Sequence, residues 1–128
     1  MTTQLEHARA GTTTQAMHSV AASEGVNAEL IRTEIAAGRL VIPANERHLK
    51  TNLKPVGIGR VLTTKVNANI GTSTVRCSVA AEIEKMQAAL EVGADVIMDL
   101  STGGNLDEIR SELLAHCPVP FGTVPIYQ

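Results

Sequence analysis

The sequence predicts an α/β fold, the first part of a TIM-like (β/α)8 barrel preceded by a small helical N-terminal arm. Three observations carry that reading. Apolar residues in the first third recur at helical spacing and are punctuated by Gly25 and Gly38. From Val61 the pattern changes to strand, helix, strand, helix, strand, each strand short and apolar. Strands joined by helices of this length must run parallel, and such strands suit a sheet covered on both faces or a barrel.

In chain order, Met17, Val20 and Ala21 fall at i, i+3 and i+4 of a helix ended by Gly25. Asn27 caps a second helix that carries Leu30, Ile31 and Ile35 as far as Gly38. Leu40 to Pro43 is a brief strand stopped by proline, and Asn45 to Gly59, with Pro55 and Gly57, reads as a long polar loop. Residues 1–60 are thus expected to form the helical arm with its short strand and loop, and residues 61–128 the first three strands of an incomplete barrel. Val61 to Asn69 is rich in Val and Thr and reads as the first of these strands. Ser78 then precedes a helix with Val79, Ile83, Met86 and Leu90 on one stripe, closed by Gly93. Asp95 to Met98 is the second strand. Asn105, with Glu108 three residues on, opens a helix that buries Leu106, Ile109 and Leu113 until Pro118, and Phe121 to Ile126 is the third strand. Three strands leave two largely apolar edges where a closed barrel has none, so the sequence looks unfinished. Alone, the segment is expected to aggregate or fold only in part.

Bulk properties narrow the function classes. A chain of 128 residues, 44% hydrophobic, can bury the core of one domain. Its net charge of −2, with acids and bases interspersed, offers no basic stripe for nucleic acid or an anionic membrane. No apolar run approaches the roughly 20 residues that cross a bilayer, and no leader pattern opens the chain, so a cytoplasmic location is expected. Cys77 and Cys117 are too few for a disulfide framework and lack the spacing of a metal site; both are expected to be reduced thiols at helix ends. His7, His18, His48 and His116 show no ligand pairing.

In an α/β barrel, chemistry gathers at the C-terminal ends of the strands. Asn69, Met98 and Tyr127 stand 29 residues apart (98 − 69, 127 − 98), which predicts equivalent places one β/α unit onward. An amide, a thioether and a phenol on one rim suit a polar heterocycle. The plainer alternative is a turn-capping Asn, a core Met and a Tyr bonded to backbone. The turn Ser101-Thr102-Gly103-Gly104 either presents amides to an anion or is an ordinary loop, and Gly57-Ile58-Gly59 is no nucleotide fingerprint. Among Glu82, Asp95 and Asp99, only Asp99 sits at a strand end; it can transfer protons or orient neighbouring backbone. Val20 to Arg39 imitates a helix-turn-helix. Three Glu (24, 29, 34) against two Arg (32, 39) there argue against DNA.

Four stretches, Val41 to Asn45 (VIPAN), Val66 to Gly71 (VNANIG), Val96 to Gly103 (VIMDLSTG) and Val119 to Gln128 (VPFGTVPIYQ), resemble the phosphomethylpyrimidine synthase family of thiamine biosynthesis, and the likeness runs from Thr3-Gln4 to the last residue. The resemblance implies a β/α barrel. It also implies a radical-SAM lyase that converts aminoimidazole ribotide to hydroxymethylpyrimidine phosphate with a [4Fe–4S] cluster, S-adenosylmethionine and zinc, as a homodimer. It implies that Asn69, Met98 and Tyr127 contact the ribotide, while the ligands of cluster and zinc fall outside this chain, which alone is then expected to be inactive. Gly71-Thr72-Ser73 resembles the compact members, which include the 5-hydroxybenzimidazole synthase of cobamide synthesis, a close alternative acting on the same ribotide. A non-catalytic ligand-binding fragment is the alternative of another class.

Overall fold

Caps fix the start of the chain. In the computed structural model, which describes residues 2–127, α1 (Gln4–Arg9) opens at Thr3. The Thr3 hydroxyl accepts the Glu6 N–H while the Glu6 carboxylate accepts the Thr3 N–H. Helix α2 (Gln15–Glu24) is capped by Thr14 and ends at Gly25, whose φ of +66° is left-handed and free of penalty only for glycine. Asn27 caps α3 (Ala28–Ala36) by accepting the Glu29 N–H at 2.8 Å. The expected helical pair and its punctuation are therefore present. Leu30, expected with the buried residues, is exposed, while Ile31 and Ile35 pack with Met17, Val20, Leu40 and Ile42.

The chain forms two compact units, one taking residues up to Asn45 with Lys54–Thr64, the other Glu46–Leu53 with the chain from Lys65 onward. In the first, β1 (Leu40–Val41) pairs antiparallel with β2 (Ile58–Gly59). That second strand lies in the stretch expected to be loop. Its two residues are too few for any period to show, and it pairs closely because a Cβ at Gly59 would stand 2.9 Å from the Arg39 carbonyl oxygen. The same stretch holds α4 (Glu46–Leu49), which belongs to the second unit.

The second unit is built from β3 (Asn67–Ile70), α5 (Val79–Glu91), β4 (Val96–Asp99), α6 (Leu106–His116) and β5 (Phe121–Thr123), followed by a 3-10 turn over Pro125–Tyr127. The sheet order is β3-β4-β5 and both pairings are parallel, as expected. The middle strand lies one residue later than expected, at Val96–Asp99, and two strand boundaries differ by more than that. The first strand begins at Asn67, not Val61: Val61 and Val66 are exposed, and the Thr63 N–H goes to the Glu24 carboxylate at 2.9 Å. β-branched residues favour strand geometry only where a partner edge exists. The third strand stops at Thr123, because Pro125 has no N–H to extend a ladder.

Ser78 caps α5 and Asn105 caps α6, the latter accepting the Glu108 N–H while its own amide donates to the Glu108 carboxylate. Their apolar stripes meet the sheet: Ile70, Met86, Ile97, Ile109 and Leu113 are buried together, with Ala68, Val79, Ile83, Leu90 and Phe121 packed around them. Strand alternation and register then leave Asn67, Asn69, Met98 and Gly122 on the opposite face. Among the described residues, no helix is long and apolar enough to cross a membrane.

In the first unit, hydrogen bonds from Arg32 and Arg39 hold the carboxyls of Glu29 and Glu34 below their ordinary value of 4.5. Stability from a lowered carboxyl is present above the unfolded value and is lost as pH falls through the folded one. Arg39 is 59% exposed, so water screens its pair and the effect is small. Glu34→Gln is expected to lower the melting temperature slightly at neutral pH, and the gap from the unsubstituted protein should close as the pH of the melt falls below 4.5.

Candidate functional site

The polar rim is set by the pairing of β3 with β4. Asn69 stands directly opposite Met98 in register, so the first 29-residue interval corresponds to one parallel step. The second interval does not. Met98 is opposite Gly122, and Tyr127 lies beyond β5 in the 3-10 turn, because that strand is cut short by Pro125. The side chain of Tyr127 lies outside the described residues.

Asn69 is exposed, and its amide oxygen accepts from the amide of Asn67 at 3.1 Å. Asn67 escaped the sequence reading, although the Asn-x-Asn spacing in VNANIG places both side chains on one strand face. Met98 lies against Gly122: a Cβ there would be 2.9 Å from the Met98 methyl and 3.0 Å from its sulfur. The rim therefore carries two neighbouring amides and a thioether seated over a glycine.

On the helix-facing side the same strand ends carry a buried polar cluster. Asp99 and Ser101 have no exposed surface and Thr72 has 3%. Asp99 Oδ1 accepts from the Ser101 N–H at 3.0 Å and from its hydroxyl, and Oδ2 accepts from Arg110 Nε at 3.1 Å. Of the two roles open to Asp99, the geometry is that of orienting backbone. The Ser101 N–H is engaged by that carboxylate and the Thr102 N–H by the Thr72 carbonyl at 3.0 Å, so neither amide is presented to an anion. Glu82, 3% exposed, accepts the Gly71 N–H at 2.9 Å and pairs with Lys85 at 2.5 Å; Asp95 accepts the Val66 N–H at 2.8 Å. An open groove of about 730 Å³ beside the start of α5 is lined in part by Ser73, Arg76, Ser78, Glu82 and Lys85.

Neither thiol fits a cluster or zinc. Cys77 is exposed before α5 and donates to the Ser73 carbonyl; Cys117 is buried at the end of α6, donates to the Val119 carbonyl, and burial pushes its thiol pKa up, away from the thiolate a metal needs. No group of three or more His, Cys, Asp or Glu among the described residues is placed to hold a metal ion. His48 instead bonds the Cys117 carbonyl at 2.7 Å, and Asn52 bonds that of Ala115, satisfying the end of α6. In the helix-turn-helix-like stretch, Arg32 is engaged by Glu29 and the Ala8 carbonyl.

The sequence model described as the Radical SAM ThiC family matches residues 3–128. The chain belongs to this family. It is 57% identical over 126 residues to the phosphomethylpyrimidine synthase of Moorella thermoacetica, covering 98% of this chain and 29% of that protein. It is 55% identical over 128 residues to the phosphomethylpyrimidine synthase of Natronomonas pharaonis, covering 100% of this chain and 26% of that protein. This ThiC-family chain thus spans less than a third of the length of the curated relatives it matches.

The contact between Met98 and Gly122 is open to a direct check. A Cβ at Gly122 displaces only the far end of a flexible side chain, so Gly122→Ala is expected to cost about 1 kcal/mol while moving the thioether off its seat. The Met98 methyl resonance should shift in a methyl-labelled sample. An unmoved resonance would show that the sulfur does not lie on Gly122.

Proposed function

We propose that this chain supplies part of the aminoimidazole-ribotide site of a radical-SAM phosphomethylpyrimidine synthase, with residues 61–128 contributing the first three strands of a (β/α)8 barrel and residues 1–60 the arm before it. The observation that carries the reading is the register of Asn69 beside Met98, on the face away from the helices and at the C-terminal end of parallel strands, in a chain 57% identical to a protein of that name. A barrel presents its ligand at the C-terminal ends of its strands. The names of both relatives favour the pyrimidine product over the 5-hydroxybenzimidazole made from the same ribotide.

In this reading the chain's own residues bind and orient. The Asn69 amide offers a donor and an acceptor to the ribotide, held at one side by Asn67. The Met98 thioether packs against the imidazole ring, its soft sulfur suited to an aromatic edge. Tyr127 offers a phenol to the same ligand. A [4Fe–4S] cluster and S-adenosylmethionine supply the radical chemistry when bound, on ligands other than Cys77 and Cys117; zinc likewise falls to residues outside those described.

Calorimetric titration of the full-length protein with aminoimidazole ribotide tests the assignment. Losing a hydrogen bond to a partner left buried costs about 1–3 kcal/mol, so Asn69→Ala is expected to weaken binding about tenfold or more. Tyr127→Phe should have a smaller effect because the ring still packs, and Met98→Ala reports on packing alone. Unchanged affinity in all three variants would overturn this rim as the ribotide site.

A further inference from the structure

We propose that Thr72, Ser101 and Asp99 act together as a positioning unit that holds the paired ends of β3 and β4, and with them Asn69 and Met98, in place for ligand binding; the inference rests on the functional reading above. The unit is a directed chain of hydrogen bonds. Arg110 reaches from α6 to one oxygen of the Asp99 carboxylate at 3.1 Å. The other oxygen accepts a hydrogen bond from the Ser101 hydroxyl. With its proton so committed, the Ser101 oxygen can only accept, and it receives the Thr72 N–H at 3.0 Å. The Thr72 hydroxyl in turn donates to the Gly103 carbonyl at 2.6 Å, and the Thr72 carbonyl accepts the Thr102 N–H at 3.0 Å.

These bonds close the loop after β3 onto the loop after β4, and two glycines let the backbones touch. A Cβ at Gly71, where φ is +155°, would lie 2.7 Å from the Leu100 carbonyl carbon and the Ser101 nitrogen. A Cβ at Gly103 would lie 2.5 Å from the Ser73 carbonyl carbon. The clasp begins at Asp99 and just beyond Ile70, two register partners that are the chain neighbours of Met98 and Asn69. A ligand that touches both rim side chains reads the separation of the two strand ends, which the β3–β4 ladder sets and the clasp holds just beyond its last pair. An apolar pair would hold these loops without the desolvation cost of a carboxylate, but a hydrogen-bonded chain also fixes direction and distance.

The test uses the full-length protein and aminoimidazole ribotide. Thr72→Val keeps the side-chain shape but removes the bond to Gly103, and is expected to raise the dissociation constant about tenfold; Thr72→Ser, which keeps the hydroxyl, should return it to within about twofold. Asp99→Asn, nearly isosteric, gives the same comparison should Thr72→Val fail to fold. A lowered melting temperature with unchanged affinity in both Thr72→Val and Asp99→Asn would overturn the inference and leave a purely structural clasp. If Asn69→Ala weakens binding while those variants bind as the unsubstituted protein does, this inference alone falls. No ribotide binding by the unsubstituted protein would overturn the functional reading and this inference with it.

Discussion

A carboxylate removed wholly from water must have its oxygens satisfied by donors, and in the second unit that constraint falls on Asp99. Its three donors come from two places: the N–H and hydroxyl of Ser101 in the loop just beyond its own strand, and α6 through Arg110. Meeting the demand of one buried charge therefore ties strand, loop and helix together at the end of the sheet where the rim residues stand. The pairing is not a surface ion pair screened by solvent, since the Arg110 side chain is itself only 12% exposed.

The other crossover helix makes a matching connection with the opposite charge. Glu82 of α5 accepts the Gly71 N–H just beyond β3, as Arg110 of α6 reaches Asp99 at the end of β4. Each helix thus sends one charged side chain back to the C-terminal end of the strand that leads into it. Apolar stripes alone fix which face of a helix is down, but they tolerate sliding along the strand. A hydrogen bond with a defined donor and acceptor does not. Register matters here because a slip of one residue would exchange the faces of every side chain in β4, carrying Met98 to the helices and Ile97 and Asp99 to the open face.

What the sequence disclosed follows from how far each signal reaches. Asn27, Ser78 and Asn105 cap helices through contacts two or three residues away, so their roles were legible from neighbours alone. Gly25 was legible for the same reason. The 29-residue interval between Asn69 and Met98 was a sound sign of one β/α step, whereas the equal interval to Tyr127 was not, since Pro125 ends the strand and Gly122 takes the register place. Ile58 gave no sign of pairing with Val41, a partner set by tertiary contact across an intervening helix and loop. The valines and threonines after Arg60 suggested a strand that no neighbouring edge supports. Asp99 was visible as an acid at a strand end, but its burial, and with it the choice between proton transfer and orientation, depended on Arg110 eleven residues on.

The two faces of the sheet divide the tasks by residue type. On the helix side, Ala68, Ile70, Ile97 and Phe121 pack, and the one carboxylate among them is fully answered. On the other side stand Asn67, Asn69, Met98 and Gly122, groups that contribute little to burial and whose chemistry suits recognition: two amides able to donate and accept, a polarizable sulfur, and a glycine that makes room for it. A face chosen for stability would carry β-branched residues at these positions. Because the Asn67 amide already donates to the Asn69 amide oxygen, a ligand at this rim would meet an oriented pair instead of two free rotors, and less conformational freedom would be lost on binding.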